Sequence, residues 1–124
     1  LARAAERAGW HAMHLDGALV ASKADFLEAA GSAMSFPQWA GHNWDAFEEL
    51  VNDLSWLSRA EGYLLLFERA SWLAKAQPNV LSVALDILAT AAENRRAAGQ
   101  APLAAVVRGA GALAANLPLL TIGR

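Results

Sequence analysis

Between His42 and Asn52 a histidine, three carboxylates and two side-chain amides stand within a few residues of one another. Asp45, Glu48 and Glu49 follow i, i+3, i+4 spacing, which on a helix places them on one face together with Asn52. Like charges so placed disfavour an isolated helix by roughly 0.2–0.5 kcal/mol per pair, and nothing basic between Trp44 and Ser55 offsets them. His42 and Asp45 have the spacing of a general base and its orienting carboxylate, or of two metal ligands. A base needs a nucleophile or an activated water and a metal needs a third ligand. The chain has no His-x-x-x-His, no Gly-x-Ser-x-Gly and no glycine-rich phosphate loop to supply them. No catalytic residue, metal site or cofactor is therefore expected. The remaining chemistry is recognition by charge, against which stands the plainer reading of a solvated helix face with Asp45 complementing the helix dipole. Trp39 and Gly41 tip the balance. A large aromatic in a polar loop has no periodic core pattern to join, and a loop tryptophan beside acids has the composition of a binding hot spot.

Several elements must hold this segment in place. Asn43 is suited to cap a helix running from about Trp44 to Ser55, whose apolar arc of about 120° comprises Trp44, Phe47, Leu50, Val51 and Leu54. Before it, His11–Leu15 reads as a first strand with Met13 and Leu15 inward and His11 exposed, closed by the turn pair Asp16-Gly17. Ser22 and Asp25 open a helix carrying Phe26, Leu27, Ala30 and Met34, and Pro37 stops it. Tyr63–Phe67 is a continuous apolar run, as in a parallel strand covered on both faces. A short helix opens at Ser71, with Trp72 on its apolar face, and Pro78 ends or redirects it. Asn79 is expected to cap a longer helix, Val80–Ala98, in which Arg95-Arg96 favours the dipole, and Leu103–Val107 is a third strand. The order β-α-α-β-α-α-β predicts an α/β domain with a small three-stranded parallel sheet and packed helices.

Composition narrows the class. The chain has 124 residues, 56% of them hydrophobic and 18% charged, with no cysteine and a formal net charge of −2. Disulfides and thiol chemistry are excluded, a single folded domain is the expectation, and any electrostatic role must come from a local cluster. The apolar runs are far shorter than the ~20 residues of a membrane span, so a soluble, cytoplasmic protein is expected. Five tryptophans raise the possibility of base stacking, but Trp44 and Trp72 fall on apolar helical faces and Trp10 and Trp56 flank elements. The acidic face would also repel phosphate, so no direct nucleic-acid partner is expected. The division is residues 1–10 as an N-terminal remnant, 11–108 as the domain and 109–124 as a C-terminal extension. Within the extension, Leu117–Ile122 reads as an edge strand or a tail over the sheet.

Asp16-Gly17, the continuous stretch Pro37-Gln38-Trp39-Ala40-Gly41-His42-Asn43-Trp44-Asp45-Ala46-Phe47-Glu48-Glu49-Leu50 and the Tyr63–Phe67 strand together resemble the barstar family of ribonuclease inhibitors. The resemblance covers about Met13 to Val107. It implies a barstar-like fold and an antitoxin or immunity protein that blocks a basic, secreted-type ribonuclease, itself monomeric when free. Partner-binding residues carried over are Trp39, Gly41, Asn43, Asp45, Glu48, Glu49 and Asn52. Trp39 would pack on the enzyme, Asp45 would face its cationic cleft, and Glu49 would stand where the family has an aspartate that enters the phosphate site. Three departures accompany this: Ala40 replaces a second aromatic, Glu48 stands where the family may have tryptophan, and a late-helix acid is matched by Glu93 or by Asn94. The alternative is a barstar-like interaction domain that has diverged to another basic protein.

Overall fold

The computed structural model describes residues 1–109. The expected edge strand or tail at Leu117–Ile122 and nearly all of the 109–124 extension lie outside the described residues. The elements run α1 (Ala2–Arg7), β1 (Trp10–Asp16), α2 (Lys23–Ala33), α3 (Trp44–Asp53), β2 (Gly62–Glu68), α4 (Ser71–Ala76), α5 (Pro78–Ala97) and β3 (Leu103–Val107). The three strands form one parallel sheet in the order β1-β2-β3, with Met13 opposite Leu65 and Leu65 opposite Ala105. This is the α/β class with the parallel sheet that the alternation of elements predicts.

Every residue of β2 from Gly62 to Phe67 is buried, because the central strand has side chains packed on both faces. On one face Met13, Leu15, Leu65, Phe67, Ala105 and Val107 join the apolar stripes of α2, α3, α4 and α5 in the main core. On the other, Leu64, Leu66 and Val106 form a smaller cluster with Ala5, Trp10 and Ala12. The N-terminal segment read as a remnant thus supplies α1, whose Ala5 packs on that second face.

Local chemistry explains the boundaries. Ser22 caps α2 by accepting the Asp25 amide. Gly17 ends β1 where its backbone N–H donates to the Glu68 carbonyl at 2.7 Å. A Cβ there would lie 2.5 Å from the Arg69 carbonyl oxygen, so only glycine allows the approach.

Three expectations need correction here. Pro78 is the first residue of α5 and Asn79 is not its cap, because proline lacks the N–H that the first helical turn leaves unsatisfied anyway. Trp72 is 59% exposed: α4 has only six residues, and Leu73 is its one buried side chain. His11 is half-buried and meets the Tyr63 ring edge-on at 6.2 Å, its register partner on β2.

Candidate functional site: the outer face of α3

The position of α3 is set from its inner face. Phe47 lies 5.5 Å from Phe26, and Trp44 6.0 Å from the same ring, in an aromatic cluster that continues to Phe67 on β2. Phe47, Leu50, Val51 and Leu54 are buried, so rotating the helix would expose them; full burial of side chains of this size is worth about 1.5–3 kcal/mol each. The apolar arc predicted from the sequence is the arc that packs.

The N-terminus of α3 is fixed by Asn43, whose Oδ1 accepts the Ala46 N–H at 2.8 Å. Gly41 makes room for this cap: a Cβ on residue 41 would fall 2.9 Å from the Asn43 side-chain nitrogen. Both residues belong to the predicted surface, and both have a structural duty in it. Asn43→Ala should lower the unfolding free energy by about 1 kcal/mol in chemical denaturation, whereas Trp39→Ala, at an exposed loop position, should leave it within about 0.5 kcal/mol.

At the other end α3 stops at Asp53, before the expected Ser55, because Leu54 turns into the left-handed region (φ 57°) with its side chain in the core. That turn leaves carbonyls at the end of the helix without intrahelical partners. Arg95 of α5 takes them: its Nη1 donates to the Asn52 and Asp53 carbonyls at 3.4 and 3.3 Å, and its Nε to the Ala101 carbonyl at 2.7 Å. The guanidinium lies 5.5 Å from the Tyr63 ring centre, and the residue is only 5% exposed. Arg95 and Arg96 stand in the last turn of α5, as the sequence reading has them, but Arg95 is in addition a buried clamp. Position 95 follows Ala91 by four and Leu88 by seven, so it lies on the buried stripe of α5, a signal that was present in the spacing.

The outer face carries Asp45, Glu48 and Glu49, all exposed, and none of them forms an ion pair among the described residues. The ion pairs lie elsewhere, at the carboxyl ends of the strands (Asp16–Arg69, 3.6 Å; Glu68–Arg108, 3.1 Å) and within α5 (Glu93–Arg96). Trp39, 75% exposed, stands in the loop leading into the same helix. At the amino-terminal end of the helix, Lys23 lies 5.6 Å from the Trp44 ring centre.

Asn52 differs from the other members of the acidic arc. It is half-buried, its Nδ2 donates to the Glu48 carbonyl at 2.8 Å and its Oδ1 accepts from Asn94 at 2.9 Å, so it ties α3 to α5. Asn94 therefore adjoins the candidate surface directly. Glu93 is paired with Arg96, whose hydrogen bond holds the Glu93 carboxyl below its ordinary pKa. Of these two positions, Asn94 is the one hydrogen-bonded to α3.

No hydrogen bond joins His42 to Asp45, and among the described residues no group of three or more His, Asp or Glu side chains is arranged to hold a metal. No helix of the described residues is long and apolar enough to cross a membrane. Comparison with curated proteins finds no match. A protein-family model described as Barstar (barnase inhibitor) matches residues 10–117.

Proposed function

The chain belongs to the barstar family, and from that membership we propose that it is a cytoplasmic inhibitor of a barnase-type ribonuclease, blocking the enzyme's basic active site with the outer face of α3 and the adjoining Trp39 loop. The observation that carries this reading is the row of exposed, unpaired carboxylates Asp45, Glu48 and Glu49 on a helix anchored at both ends. A ribonuclease must bind phosphates with Arg, Lys or His side chains, and a rigid array of carboxylates substitutes for those phosphates. The inhibitor does no chemistry; it occupies the cleft. Glu49 enters the phosphate site, Asp45 faces the surrounding cations, Trp39 covers an apolar part of the enzyme, and Glu48 and Asn52 complete the patch, with Glu93 as a further acidic contact.

Rigidity matters because ordering long side chains on association costs free energy, and a prepositioned helix keeps that cost to the side chains alone. Ala40, Glu48 and Glu49 depart from the family pattern, and these departures favour a second reading in which the partner is another basic protein.

The test is titration of the protein into a barnase-type ribonuclease from the same organism, following RNA cleavage and heat of binding together. Stoichiometric inhibition is the expected result; no binding to any such enzyme would refute the reading. Raising salt from about 0.05 to 0.5 M should slow association by about tenfold or more and leave the dissociation rate nearly unchanged, in stopped-flow fluorescence, because screening acts mainly on the encounter.

A further inference from the structure

Beside the Trp39 loop, a cleft of about 140 Å³ opens between α2 and the segment leading into α3. Phe36, Pro37, Gly31 and Ala40 line its apolar part, and Glu28, Ser32, Gln38 and His42 its polar part. The apolar wall is fixed in place: Phe36 meets Trp56 edge-on at 5.6 Å and Phe47 at 6.2 Å, while the Trp56 ring N–H donates to the Met34 carbonyl at 3.1 Å. Two small residues stand in its walls: Gly31, where a Cβ would make ordinary van der Waals contact with the Phe36 ring at 3.4 Å, and Ala40, which presents only a methyl group. Glu28 is exposed and forms no hydrogen bond or ion pair among the described residues.

An aromatic wall ending in an unpaired carboxylate suits one kind of side chain. A guanidinium lies flat on an aromatic face and pairs its two parallel N–H donors with a carboxylate, whereas the ammonium of lysine is a compact, strongly hydrated charge that gains less from the wall. We propose that the cleft is a subsite for an arginine side chain of the ribonuclease, with the guanidinium lying over the Phe36 ring and pairing with Glu28, and His42 offering a second acceptor at the lip. The subsite adjoins Trp39 and so extends the α3 surface toward α2. It rests on the inhibitor reading for the identity of the partner, and it assigns to Ala40 a purpose: the small side chain exchanges aromatic contact area for a place to receive the partner's arginine.

Two measurements test it. In the first, Glu28→Gln and Ala40→Tyr are titrated into a ribonuclease that the wild-type chain inhibits, with thermal unfolding of each variant as the check on folding. Binding about fivefold weaker for each, with unchanged unfolding, is the expected result; wild-type affinity in both overturns the subsite. The second needs no ribonuclease. N-acetyl-arginine methylamide is titrated into the free protein while backbone amide shifts are followed, with N-acetyl-norleucine methylamide as the uncharged control. Saturable shifts at Glu28, Gly31, Phe36 and His42 that vanish in Glu28→Gln support the subsite, and shifts absent or unaffected by that substitution overturn it. Should the wild-type chain inhibit no ribonuclease, the functional reading fails in the first measurement while the second still decides the cleft.

Discussion

Glu49→Ala is expected to weaken binding to the ribonuclease by about 2–5 kcal/mol, roughly thirtyfold to a few thousandfold in Kd, the largest effect of any single substitution on this surface. The range comes from interfacial charge pairs that include the barstar–barnase complex itself, so it is a family magnitude carried over and not one that this geometry yields. What the geometry contributes is direction. Glu49 is exposed, lies one turn after Asp45 on a helix whose inner face is locked by Phe47 and Leu50, and among the described residues has no ion-pair partner to release before meeting a cation on the enzyme. Its removal leaves a basic residue of the partner buried without a counter-charge, and that stranded charge accounts for much of the cost. Asp45→Ala and Trp39→Ala should follow with smaller losses. Calorimetry gives the affinities, and chemical denaturation should place the Glu49 variant within about 0.5 kcal/mol of wild type, since an exposed side chain without partners contributes little to folding. Glu49→Gln separates charge from shape: it should behave nearly as badly as alanine. Wild-type affinity at all three positions would sink the proposed surface.

Arg95→Met should lower the unfolding free energy by about 3–4 kcal/mol, visible as a fall in the urea midpoint at constant slope. The substitution keeps an apolar stem in the space between α5 and Tyr63 but removes the donors that satisfy the Asn52, Asp53 and Ala101 carbonyls. Hydrogen bonds from a charged donor are worth about 1.5–3 kcal/mol each, and the two to α3 are long, so the sum falls well short of three full bonds. Arg95→Lys should recover part of the loss, because one ammonium cannot reach all three acceptors in a planar fork. Binding should suffer beyond the loss of folded protein, because the turn that carries Asn52 is freed at its carboxyl end. A destabilisation under about 1 kcal/mol for Arg95→Met would show that water replaces the guanidinium at those carbonyls and that the clamp has no mechanical role.

Most of what could be read in the sequence is local. Asn43 and Ser22 cap helices because a short polar side chain reaches an amide three residues on, and both caps form as the spacing implies. The apolar arc of α3 and its acidic opposite face follow from the helical period alone, and the burial of Phe47, Leu50, Val51 and Leu54 agrees with it. The apolar run Tyr63–Phe67 announced a strand covered on both sides, and with the alternation of elements it was enough for the parallel sheet. The motif from Pro37 to Leu50 carried the resemblance, and the family match bears it out.

The contacts that position the acidic face were decided by tertiary structure. Arg95 reaches the Asn52 carbonyl across 43 positions of sequence, and Asn94 meets Asn52 across 42; whether two such residues face each other depends on the angle at which α3 and α5 cross. The same distinction explains the errors. Trp72 lay on an apolar stripe by period, but a helix of six residues has too little length to bury a whole face, and the dipole reading of Arg95-Arg96 did not show that Arg95, on a buried stripe, would bond the carbonyls of α3. Sequence by itself determined the three strands, the helices after α1 to within a few residues, and the carboxylates that α3 presents, because helix period, capping and strand burial are written within a few residues. Only the tertiary structure decided which polar groups are spent inside the fold, as Asn52 and Arg95 are, and which, like Glu49, are left exposed without an ion pair among the described residues, because that depends on neighbours the chain brings together from far apart.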